Sequence, residues 1–103
     1  MGKRYEVSYL AVAKKDLFDI ILYISDELCA PEAAFKLADR FEEAISVLED
    51  FPLSGYIYKH TKGLKDEYRV LVVESYLVFY VVMNNAVEIR RIVYSKRDHN
   101  SLL

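Results

Sequence analysis

At 103 residues, with 53% hydrophobic side chains and a mean hydropathy of +0.04, the chain suits one domain with a modest core and is too apolar for a disordered segment. No apolar run approaches the ~20 residues of a membrane span, and the opening MGKRYEVSYLAVAKKD returns to charge too early for a signal peptide, so a cytoplasmic protein is expected. The formal charge of −2 hides an asymmetry: residues 1–56 carry six basic against eleven acidic side chains, residues 57–103 eight against five. A basic second half can draw a polyanion to one face, although acids also simply decorate solvated helices.

Tyr5–Tyr9 alternates as a short strand with Val7 and Tyr9 on one side. Ala13, Leu17, Ile20, Ile24 and Leu28 then recur at helical spacing, which predicts a helix from about Ala11 to Leu28. Pro31 cannot continue that helix but is well placed to open another, whose stripe is Ala34, Ala38, Phe41, Ile45 and Leu48. Two amphipathic helices joined by so short a link form an antiparallel hairpin. Cys29, the lone cysteine, has no internal disulfide partner and is expected to be a small buried hydrophobe in a reducing compartment.

Phe51-Pro52 ends the second helix. The segment LSGYIYKHTKGLK, residues 53–65, reads as a basic loop with room for a short strand at Tyr56–Tyr58. Three strand-rich runs follow: Val70–Val73, Tyr76–Met83 and Val87–Tyr94. Glu74-Ser75 and Asn84-Asn85 separate them, the pattern of a three-strand meander. The middle run, YLVFYVVM, is apolar on both parities and so needs cover on both faces. The helical hairpin is the natural cover for one of them. Arg90-Arg91 breaks the alternation of the last run, which requires either a bulge or a polar face for Arg91. Residues 97–103 form a basic tail.

This order of strand, helical hairpin, basic loop, meander and tail resembles the RelE/ParE superfamily of bacterial toxin–antitoxin toxins. The resemblance is carried by AKKDLFDIILYI, FPLSGYIYKHTKGLKDEYRVLVVESYLVFYVV and EIRRIVYSKRDHNSLL, and it covers nearly the whole chain as a single domain. It implies an α+β fold: a short N-terminal strand and an antiparallel helical hairpin packed on a twisted antiparallel sheet whose last three strands form the meander. The active surface would lie on the opposite, concave face. It also implies a cognate antitoxin protein as partner. RelE-, YoeB- and YafQ-like members cleave mRNA, usually on the ribosome, whereas ParE-like members poison DNA gyrase without a comparable nuclease site.

Metal-free RNA cleavage by a ribose 2′-OH needs a base, cations for the phosphorane and an acid for the leaving oxygen. No metal or other cofactor is expected, since His60 and His99 lie 39 positions apart without ligand-spaced companions. On this reading the chain is an mRNA endoribonuclease with a catalytic set of Arg69, Arg97 and His99. Arg69 falls where the resemblance puts a phosphate-binding arginine, its ordinary alternative being a strand-end pair with Glu67 or Glu88. The ending H-x-x-x-L resembles that of YafQ-like toxins, which makes His99 the general acid and Arg97 a second phosphate ligand. Lys59, His60 and Lys62 resemble a loop that grips RNA or the ribosome; Arg91 and Tyr94 complete the expected substrate-binding set. The pI of about 5.7 departs from the basic character of ribosome-binding toxins. That departure sustains the alternative, a ParE-like inhibitor of DNA gyrase with no nuclease activity. No membrane partner is expected.

Overall fold

In the computed structural model, which describes residues 4–59, 65–97 and 103, the chain opens with β1 (Glu6–Tyr9) and passes through Leu10 into α1 (Ala11–Leu22). The last turn of that helix, Tyr23–Glu27, widens to π-helical spacing. Then α2 (Pro31–Ser46) starts on its proline and closes with a tighter 3-10 turn at Val47–Glu49. A two-residue strand β2 (Tyr56–Ile57) precedes the meander of β3 (Arg69–Val73), β4 (Tyr76–Met83) and β5 (Ala86–Tyr94). Both two-residue links of the meander put their first residue, Glu74 or Asn84, in the left-handed region at φ 54° and 53°. Tight hairpins need that conformation, which Asn tolerates more easily than Glu.

The five strands lie in the order β1-β5-β4-β3-β2, and the meander is antiparallel. β1 departs from the expected antiparallel sheet: it runs parallel to β5, from Glu6 opposite Ala86 to Tyr9 opposite Ile89. No hairpin joins these strands, so their direction is set by the helical crossover between β1 and the rest of the chain. The sheet is therefore mixed.

β4 is covered on both sides, as its composition requires: Val78, Phe79 and Tyr80 are all fully buried. Val78 and Tyr80 pack with Val87, Ile89 and Ile92 against Ala13, Phe41 and Leu48 of the helical layer. Phe79 and Val81 pack with Tyr58, Tyr68, Val70, Leu77 and Val93 on the other face, where Leu103 rests against them. The irregularity in β5 is a bulge. Phe79 pairs with Arg91 and Tyr80 with Ile89, leaving Arg90 as the extra residue.

Two expectations for the helical hairpin fail together. Leu28, assigned to the apolar stripe, is 55% exposed, because the π turn shifts the phase of the helix just before it. Cys29, expected inside, is exposed. It takes a left-handed backbone, φ 51°, that breaks the helix, and its thiol turns back to the Asp26 carbonyl at 3.6 Å.

Candidate functional site

Arg69 enters β3 directly opposite Tyr80 of β4, and both side chains reach back to the segment before β2. The Arg69 guanidinium donates through Nη1 to the Gly55 carbonyl at 2.8 Å and to the Leu53 carbonyl at 3.3 Å. The Tyr80 hydroxyl donates to the Pro52 carbonyl at 2.8 Å and accepts from the Gly55 N–H at 2.9 Å. Burial pushes the Tyr80 phenol above its ordinary value, against the lowering influence of the Gly55 N–H and Arg69. Gly55 is required by space: a Cβ there would sit 2.6 Å from both the Tyr80 hydroxyl and the Val70 carbonyl oxygen. Arg69 thus takes backbone carbonyls, not Glu67 or Glu88, as partners.

Arg91 lies on the other flank of β4 and is drawn to the helical layer. Its Nε and Nη2 meet the two carboxylate oxygens of Asp16 at 2.7 and 2.9 Å. The same carboxylate accepts the Ile92 N–H at 3.0 Å, a group that β1 no longer reaches because its pairing stops at Ile89. The bond to Asp16, outweighing burial, raises the Arg91 pKa above the ordinary guanidinium value. Arg90, the bulge residue, faces the opposite acids: Glu88 at 2.5 Å and Asp66 at 3.4 Å, with its guanidinium 5.6 Å from the Tyr68 ring centre.

Tyr94 and Arg97 stand together at the exit of β5, both exposed, the Arg97 N–H donating to the Tyr94 carbonyl at 3.0 Å. Lys59 is exposed just beyond β2. His60, Lys62 and His99 lie outside the described residues. Among the described residues no group of His, Cys, Asp or Glu is arranged to hold a metal ion, and no helix is long and apolar enough to cross a membrane.

Arg69 and Arg91 therefore flank β4 and point to different anchors. Arg69 is tied to the segment 53–55 beside the β2 edge, Arg91 to α1 beside the β1 edge. Sequence reasoning overlooked Asp16 and Tyr80. Asp16 falls off the apolar stripe and reads as solvated; Tyr80 reads as core, with nothing in its neighbours to mark a hydroxyl bonded on both sides.

Comparison with known proteins follows the fold closely. A family described as "ParE toxin of type II toxin-antitoxin system, parDE" matches residues 7–99. Among solved structures the chain is similar to one titled "Chromosomal ParDE TA system from P. aeruginosa", with a TM-score of 0.73 at 20% identity, over 92% of this chain and 100% of that one. No curated protein sequence matches.

Proposed function

The chain belongs to the family of ParE toxins of type II toxin–antitoxin systems, and from that premise we propose that it poisons DNA gyrase by binding, without cutting RNA. As the toxin of such a module it has a cognate antitoxin as partner. The target is carried over from the resemblance to ParE-like members.

The observation that supports binding over cleavage is the state of the two arginines. A guanidinium that stabilises a phosphorane must turn its N–H donors toward the substrate. Arg91 gives two of its donors to Asp16, and Arg69 braces two carbonyls of its own chain. Turning either outward would leave a half-buried carboxylate or two backbone carbonyls without their donor, at a cost of about 1–3 kcal/mol each. The formal charge of −2 also suits a protein target better than the ribosomal RNA surface.

The nuclease reading keeps one observation of its own, the exposed Tyr94 beside Arg97 at the end of β5. Mapping transcript 5′ ends after inducing the toxin separates the two readings. Binding to gyrase leaves the ends unchanged; new ends that vanish in the His99→Ala variant would overturn it.

A further inference from the structure

Where β4 begins and β5 finishes, a cavity of about 560 Å³ opens between the sheet and the end of α1. Its walls are Tyr76 and Tyr94 from the strands and Ile20, Tyr23 and Leu28 from the helical side, with Asp19 at the rim. Tyr76 and Tyr94 stand 5.7 Å apart with their ring planes at 63°, so one ring offers its edge and the other its face. Phe41 backs Tyr76 at 5.7 Å and holds it in place. Tyr76 is half-buried, and its phenol is raised by burial first, then by Tyr94 and Tyr23, so it stays neutral at physiological pH.

Three of the large side chains in this wall remain open to solvent: Tyr23 at 56%, Leu28 at 55% and Tyr94 at 44%. The π turn that begins at Tyr23 and the left-handed break at Cys29 bracket Leu28 and hold the cavity's helical wall in this position. The lining itself favours a cation, with two basic residues near it: Lys15, which pairs with Asp19, and Arg97, which follows Tyr94 in the turn after β5. Aromatic faces are negative, Asp19 is a carboxylate, the wall is the carbonyl end of a helix, and among the described residues no basic side chain lines the cavity. Lys15 approaches only from outside, pairing with Asp19 at 2.7 Å while that side chain stays 57% exposed.

We propose that this cavity is a binding site for a cationic side chain, an arginine presented by a partner protein, with its guanidinium stacked among Tyr23, Tyr76 and Tyr94 and its charge met by Asp19 at the rim. A purely apolar occupant would use the rings and Leu28 but gain nothing from the carboxylate or the helix end. A guanidinium uses all four, since it is flat, weakly hydrated and stacks on aromatic faces. The assignment is independent of how the toxin acts on its target.

Titrating the isotopically labelled toxin with N-acetyl-arginine methylamide, followed by NMR at the tyrosine ring protons, tests it. The neutral isostere N-acetyl-citrulline methylamide and the apolar N-acetyl-leucine methylamide serve as controls. Saturable shifts of Tyr23, Tyr76 and Tyr94 are expected with arginine, about tenfold tighter than with citrulline. Tyr94→Ala should abolish them and Asp19→Asn weaken them; both residues are exposed, so both variants are expected to fold, which their circular dichroism checks. Equal response to the leucine derivative would make the cavity a plain apolar groove and overturn the assignment. So would shifts confined to other residues, or none at all.

Discussion

Asp16 and Arg91, 75 positions apart in sequence, are joined by two parallel hydrogen bonds of 2.7 and 2.9 Å, and the same carboxylate accepts the Ile92 N–H. One side chain of α1 thereby closes the edge of β5 beyond the point where β1 stops pairing. Both partners are largely withdrawn from water, at 14% and 19% exposure. Asp16→Ala removes the carboxylate that takes two donors of a largely buried guanidinium and the Ile92 N–H, which should cost about 2–4 kcal/mol. Asp16→Asn keeps one acceptor and should cost less. Urea unfolding of the purified toxin reads both values, and little change with salt is expected for so shielded a pair.

The anchor around Gly55 makes a second, non-additive prediction. Tyr80→Phe strips a donor from the Pro52 carbonyl and an acceptor from the Gly55 N–H, for about 1–3 kcal/mol. Gly55→Ala forces a methyl group against the Tyr80 hydroxyl and the Val70 carbonyl, for a similar about 1–3 kcal/mol. The double variant should lose less than both together, because removing the hydroxyl relieves part of the crowding. A double-mutant cycle in denaturant measures the coupling.

Arg69 separates structural bracing from chemistry. If its work is to hold residues 53–55, Arg69→Ala should lower stability by about 1–3 kcal/mol while leaving the inhibition of gyrase by the folded fraction unchanged. Thermal unfolding and a supercoiling assay on the same preparation report the two quantities separately.

Alkaline pH should unfold the protein through its buried phenols. Burial is the first cause that raises Tyr9, Tyr76 and Tyr80 above the ordinary 10.0, with Glu42 adding to it at Tyr9. Below pH 10 these groups are protonated in both folded and unfolded chains, so their contribution to stability is complete. Above it the unfolded chain ionises first and binds fewer protons, so stability falls as pH rises toward the folded-state values. Denaturant midpoints taken across that range should decline, and ultraviolet titration of phenolate should show these three tyrosines lagging behind the exposed ones.

What the sequence disclosed is the part governed by local pattern. Three apolar runs with two polar breaks define the meander almost residue for residue, since the period of a strand and the demands of a two-residue turn are local. Pro31 marks the start of α2 for the same reason. The parallel seat of β1 was not legible, because strands without a hairpin between them carry no record of direction. Nor was Leu28's exposure, which follows from one widened helical turn. The candidate site was legible only as residue types. Whether an arginine serves a substrate or the fold depends on what stands opposite, and Asp16 and the carbonyls at 53 and 55 are invisible in a linear pattern.

The measurement that bears most directly on the account is ATP-dependent supercoiling of relaxed plasmid by purified gyrase in the presence of this toxin, with and without its antitoxin. Inhibition that grows with toxin concentration and is reversed by the antitoxin is the predicted result, with a reporter RNA in the same tube left intact. Undiminished supercoiling at saturating toxin, together with cleavage of that RNA, would contradict it.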